Sequence, residues 1–310
     1  MADHGKRLVF IGAATIDTIA LVPRYPGADE RVVVDDLARA GGGPAATAAV
    51  VAARAGHDAA LIAAVGDDAE GDEIIEGLRA EGVDVSGVAR VSGSRSASTL
   101  ITVAAHPPTR AMCNRPGPTL VLSGNEFLEA VDGASWVHAD HHGWPLIASV
   151  WPPLTQSARP LLSIDDGHAT LQLDPGVADL YVPTLDVLQH RSGRMNVSEA
   201  LAWALEAGCG AAVATDGGSG SYGMAAGVAE FHEPAAVASI VSTLGAGDVF
   251  HGALVSALAS GLELHSAVHS ASEVAARSCE ALDGRTAIPR RSDASPRSAA
   301  VSSAAAGMEK

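Results

Sequence analysis

Ser242-Thr243-Leu244-Gly245-Ala246-Gly247-Asp248-Val249-Phe250-His251-Gly252 runs directly into Ala253-Leu254-Val255-Ser256-Ala257-Leu258. Small residues and glycines therefore open a helix. Successive backbone N–H groups at such an N-terminus form an anion-binding nest, suited to charge developing on a phosphoryl group in transfer. Asp248 falls where a carboxylate accepts the proton of an attacking hydroxyl. Taken alone, the pattern reads equally well as a tight turn with Asp248 as a helix cap.

A second block stands far upstream: Gly41-Gly42-Gly43-Pro44-Ala45-Ala46-Thr47-Ala48-Ala49-Val50-Val51-Ala52-Ala53-Arg54-Ala55-Gly56. Glycines without Cβ let the backbone approach a polyhydroxylated ligand, and the helix that follows offers N–H donors to its oxygens. By itself this block also fits a glycine turn before an alanine-rich packing helix.

Around these blocks the chain alternates strand and helix patterns. Leu8 to Gly12 reads as a buried strand, Ala45 to Ala55 as a helix, Ala59 to Val65 as a strand and Asp72 to Glu81 as a helix. Further strand-like runs follow at Ser135 to Ala139, Pro160 to Ile164, Leu180 to Val182 and Ala211 to Thr215, with a helix from Val197 to Ala207. This cadence predicts an α/β fold, a mostly parallel central sheet covered by helices. Val32-Val33-Val34 and a hairpin of Thr99 to Ala104 with Arg110 to Asn114, turning at Pro107-Pro108, are expected to pair in a small sheet lying over it. Residues 291–310, rich in Ser, Ala and Arg without apolar periodicity, read as a tail without structure after a domain spanning 1–290.

Composition narrows the partners. Apolar residues make up 47% of the 310 and aromatic ones 4%, enough for a large core built from Ala, Val, Leu and Ile. The formal net charge of −16 repels a phosphate backbone or an anionic membrane, so neither nucleic acid nor membrane is expected as a partner. The 3 cysteines, Cys113, Cys209 and Cys279, are too scattered for a disulfide framework, which suits the cytoplasm. Lys6-Arg7 before the apolar run imitates a signal peptide, but Asp17 interrupts it, and the segment is read as a first strand. His138, Asp140, His141 and His142 invite a metal reading, yet neighbours on a strand point to opposite faces, and the mouth of a polar pocket is the better reading. GxxxxGK[ST] is absent, and no clean GxGxxG follows the first strand.

The two glycine blocks, in this order, resemble the paired signatures of the PfkB, or ribokinase-like, family of carbohydrate kinases. The downstream run departs from the usual Asp-Thr-x-Gly-Ala-Gly-Asp-x-Phe-x-Gly only at Ser242. The resemblance implies a three-layer sandwich with a small β lid, lid strands within about 18–40 and 95–114, and a homodimer formed through the lid. It implies ATP and Mg²⁺ as cofactors, Asp248 as catalytic base, and Gly245, Ala246 and Gly247 as the phosphoryl nest. Asp17, Gly42, Gly43 and Thr47 are implied for the sugar, Thr47 standing where many members have Asn. Thr215, Gly217, Gly220, Thr243 and Gly284 are implied for the nucleotide. The family's Asn-x-x-Glu, which organises Mg²⁺, is not found near Tyr181 to Thr184, so the metal ligands are left unassigned; Ser242 likewise removes the basis for assuming dependence on potassium.

Gly284-Arg285-Thr286-Ala287-Ile288-Pro289 and the two blocks look closest to the sulfofructose kinase branch. That implies a ketohexose-like substrate such as 6-deoxy-6-sulfofructose, phosphorylated on a primary hydroxyl. Its anionic tail calls for nearby cations or donors, for which Arg31, Asn114 and His142 are the candidates. The alternatives are a nucleoside kinase and a ligand-binding sensor without catalysis.

Overall fold

The computed structural model describes residues 5–104, 109–151, 159–168 and 173–293. In chain order its elements are β1 (Arg7–Ile11), β2 (Thr15–Val22), β3 (Asp36–Gly42), α1 (Pro44–Arg54), β4 (Asp58–Gly66), α2 (Ala69–Ala80), β5 (Val88–Val91), β6 (Ser98–Ala104) and β7 (Thr109–Arg115). Next come α3 (Gly124–Ala130), β8 (Trp136–Ala139), α4 (Trp144–Ile147), β9 (Leu161–Asp166), β10 (Leu180–Pro183), α5 (Leu185–Ser192) and α6 (Val197–Glu206). The chain closes with β11 (Ala211–Thr215), β12 (Ser221–Ala225), β13 (Val228–Glu233), α7 (Ala246–Ala259) and α8 (Leu264–Ser278).

The large sheet has nine strands in the order β13-β12-β11-β10-β9-β8-β1-β4-β5. Strands β5 through β11 of that order run parallel, while β12 and β13 form an antiparallel hairpin at one edge. Alternation along β1 shows why the sheet needs covering twice. Leu8 and Phe10 enter a core shared with α1, α7 and α8, whereas Val9 and Ile11 enter the opposite core, shared with α3 and α6. Alanines in α1 let α7 approach so closely that a Cβ on Gly252 would lie 2.6 Å from the Ala48 carbonyl oxygen. A core poor in aromatic residues is thus filled by bringing backbones together rather than by large side chains.

The small sheet has the order β3-β2-β6-β7, with β2 and β6 parallel and both outer pairs antiparallel. Its inner face places Ile19, Ile101 and Val103 against Leu282. Val32-Val33-Val34 is not a strand: it belongs to the loop between β2 and β3, with Val33 81% exposed. β-branching favours a pleated surface only where a partner strand exists, and here β3 takes β2's free edge at Asp36 to Gly42 instead. The hairpin of β6 with β7 forms as expected but pairs with β2; its turn at Pro107-Pro108 lies outside the described residues. Of the expected tail, Arg291–Asp293 make a single 3₁₀ turn, and 294–310 lie outside the described residues.

Candidate active site

Parallel α/β sheets gather ligands at the C-terminal ends of their strands, where helix N-termini also point. Here a cleft opens at that edge, between the small sheet and the start of α7, lined by Asp17, Gly42, Gly43 and Thr47 on one side and Gly245, Asp248 and Gly284 on the other. Residues from both glycine blocks, far apart in sequence, thus face one another.

Gly245 makes the α7 end possible. It adopts φ 73°, left-handed backbone that favours glycine, and it packs on Gly284, whose Cα would sit 3.2 Å from an added Cβ. No side chain caps α7; the Ala246 N–H makes one long hydrogen bond, 3.4 Å to the Thr243 carbonyl, and among the described residues the neighbouring Gly245 and Gly247 N–H groups have no backbone acceptor, so this end can receive an external one. Asp248, in that first turn, is partly buried, and its carboxyl is pushed up to about 7. Burial is the main cause and the Asp165 carboxylate adds to it, while His251 and Arg285 pull the other way. A carboxyl group that exchanges its proton near neutrality is fitted to accept one from an alcohol.

On the facing wall Asp17 accepts a hydrogen bond from Thr15 Oγ1 at 2.8 Å, and burial raises its pKa against the hydrogen bonds from Thr15 and Thr99. A Cβ on Gly42 would meet Asp17 Oδ2 at 2.1 Å, so only glycine permits this carboxylate its place. Cross-strand register puts Ala40, Asp17, Thr99 and Asn114 in one row across the inner face of the small sheet. Asn114 therefore shares the face that carries Asp17. Four residues earlier on β7, Arg110 donates to Thr243 Oγ1 at 3.0 Å, tying β7 to the loop before α7.

Three further residues hold the cleft together, and the sequence alone did not single out these roles. Arg285, partly buried, donates to Thr47 Oγ1 at 3.1 Å and to the Gly42 carbonyl at 2.8 Å, and burial brings its pKa down to about 10. Arg54 donates to the carbonyls of Arg285 and Ile288, both at 2.7 Å, pinning the segment that carries Gly284. Asp140, wholly buried after β8, accepts from the N–H groups of Ala13, Ala45, His142 and Gly143 at 2.8–3.1 Å. That single carboxylate fastens the end of β1, the start of α1 and the start of α4.

The remaining expected residues lie elsewhere. Arg31 is exposed on the loop between β2 and β3, and His142 is exposed beside Asp140, neither among the cleft-lining residues. Thr215, Gly217 and Gly220 make the turn from β11 to β12, at the same C-terminal edge of the sheet but several strands from the cleft. Asp140 spends its oxygens on backbone, and His138 is buried against Ser163, with burial pushing its pKa down to about 3. Among the described residues no group of three or more His, Cys, Asp or Glu side chains is arranged to hold a metal ion. The donors fit a Mg²⁺ ion carried by phosphate oxygens and water rather than one gripped by protein. No described helix is long and apolar enough to cross a membrane.

A mostly parallel sheet covered on both faces, with a small sheet over the C-terminal edge where a carboxylate faces an uncapped helix, is the ribokinase-like α/β arrangement. The structure superimposes on an Arabidopsis thaliana ribokinase complexed with ribose and ATP at a TM-score of 0.80, 21% identity, covering 93% of this chain and 97% of that one. It matches a Methanocaldococcus jannaschii nucleoside kinase at 0.75, 17% identity, covering 92% and 96%. In sequence it is 26% identical to the ribokinase of Bacillus subtilis over 308 residues, 93% of this chain and 98% of the relative. The profile of the pfkB family carbohydrate kinases matches residues 6–149 and 164–291, and the chain belongs to that family. It is an ATP-dependent carbohydrate kinase.

Proposed function

We propose that the chain phosphorylates a primary hydroxyl of a sugar, with Asp248 as the base that takes the hydroxyl's proton. The observation that carries this is Asp248 itself, in the first turn of an uncapped helix and facing Asp17 across one cleft. ATP supplies the transferred phosphoryl group, its charge partly screened by Mg²⁺. The N–H groups of Gly245, Ala246 and Gly247 meet the charge on that group as it develops. Asp17, Thr47 and Asn114, with the backbone of Gly42 and Gly43, orient the sugar's other hydroxyls. Thr215, Gly217, Gly220, Thr243 and Gly284 are assigned to the nucleotide, and residues 1–290 to the kinase domain.

Among the cleft-lining residues there are carboxylates and neutral donors but no arginine or lysine, which favours a neutral ketohexose or pentose. A sugar with an anionic tail, such as 6-deoxy-6-sulfofructose, is the second reading, favoured by Arg110 on the face that carries Asn114. A nucleoside is less favoured, because no aromatic ring lines the cleft to stack on a base. We assign the protein to the cytoplasm and to a homodimer formed through the outer face of the small sheet, where Leu37 and Leu100 are exposed. The test is a panel of ketoses, pentoses, sugar phosphates, sulfosugars and nucleosides assayed for ADP release with Mg²⁺-ATP, on wild type and Asp248→Asn. The accepted sugar should lose about 10²–10⁴ in kcat in the variant with its binding largely kept. Near-wild-type turnover by Asp248→Asn would remove Asp248 from the chemistry.

A further inference from the structure

Behind Asp248, away from the cleft, lies a buried pair that phosphoryl transfer does not itself require. His251 follows Asp248 by three residues on α7, nearly one helical turn, so the two side chains leave the helix on the same side. Its Nε2 lies 3.3 Å from Asp165 Oδ1 at the C-terminal end of β9. Both are buried, His251 at 5% and Asp165 at 6% exposure. His251 Nδ1 is also buried and, among the described residues, has no hydrogen-bond partner. A core that wanted only packing here would use an aliphatic side chain, since an imidazole facing a carboxylate is costly to bury.

We propose that His251 and Asp165 are positioning residues for the base: His251 cancels the Asp165 charge that Asp248 faces, and so sets the pH range in which Asp248 takes the substrate proton. The proposal rests on the reading of Asp248 as that base. The charges in play come from every element packed on this part of α7. From β9 comes Asp165, and from the residue after β8 comes Asp140; His138 on β8 has its ring centroid 5.4 Å from that of His251. From the closing segment comes Arg285, whose positive charge acts on Asp248. Two helices bring apolar surface: α1 where Ala48 and Val51 meet Gly252, and α8 through Ala267, Val268 and Ala271. Burial works against charge on His251, but Asp165, with Asp248 and Asp140, raises its pKa. Burial likewise opposes charge on Asp165, and His251 nevertheless holds it below the usual carboxylate range. The two act on Asp248 with opposite sign, Asp165 raising its pKa and His251 lowering it.

Opposite signs give a test that a merely structural role fails. In protein labelled with ¹³C at the aspartate carboxyls, the Asp248 resonance is the one lost in Asp248→Asn, and its titration midpoint needs no substrate. His251→Asn leaves Asp165 uncancelled and should raise that midpoint by about one pH unit. Asp165→Asn removes the repelling charge and leaves His251 neutral, and should lower it. The double variant, with no buried charge left unpaired, should fall between the two, and it keeps the test open if either single variant folds poorly. With Mg²⁺-ATP and D-fructose, or D-ribose if the panel selects it, the acid limb of kcat should move with the midpoint, about tenfold in rate at a fixed acidic pH for His251→Asn. Midpoints that stay put, or that shift the same way in both single variants, would overturn the proposal. Turnover surviving in Asp248→Asn would instead overturn the base assignment, whatever the midpoints do.

Discussion

As the proposed base, Asp248 ties activity to stability. Its folded pKa of about 7 lies above the ordinary carboxylate value, so between about pH 4 and 7 the folded chain holds a proton that the unfolded chain releases. Folding stability therefore falls as pH rises through that window, and above it the full cost of an ionised, desolvated carboxylate is present. Asp248→Asn removes that cost. The variant should melt higher than wild type at pH 8, by on the order of a few °C, with the gap closing near pH 4. Thermal unfolding at the two pH values checks this, and a gap that widens in acid would mean that Asp248 is paired in its ionised form. Turnover in the wild type should rise with pH through about 7, as the base loses its own proton.

At the scale of elements, Asp140 shows how little covalent sequence is needed to align a site. One carboxylate holds four backbone N–H groups from three segments, and Asp140→Ala would leave them buried without acceptors. The variant should lose about 3–5 kcal/mol of unfolding free energy, measured by urea denaturation, with Asp140→Asn in between because its amide oxygen still accepts. This role was not legible in the sequence, where Asp140 stood among histidines and read as part of the mouth of a polar pocket. What was legible was local. Leu8 to Ile11 and Ala59 to Val65 are apolar runs too short for helices, and both glycine blocks open helices as their composition implies. Val32-Val33-Val34 misled because propensity says nothing of whether a neighbouring strand is vacant. The β12–β13 hairpin escaped because Gly223 and the turn at Gly227 dilute its alternation. Arg285, Arg54 and the His251–Asp165 pair depend on contacts between residues far apart in the chain, which no window of sequence contains.

At the scale of the molecule, β3 and β7 are the edge strands of the small sheet among the described residues, and Leu37 and Leu100 are exposed on its outer face. Edge strands beside exposed apolar side chains favour a second copy of the chain. Sedimentation at micromolar concentration should give a dimer, and Leu100→Glu should shift it to a folded monomer. A wild-type monomer under the same conditions would exclude this surface as the interface.

Asp17 rides on the small sheet while Asp248 belongs to the body beneath, and the two are joined by four links, at residues 12–14, at Gly43, at 92–97 and at 116–123. A sugar held as proposed spans the gap and touches both parts. Water, which is always present and also carries a proton to give up, spans nothing. In the proposed reaction this makes the acceptor a licence for the donor: without a sugar the proposed base has no well-placed hydroxyl to serve, and ATP hydrolysis in the absence of sugar should be slow beside sugar phosphorylation.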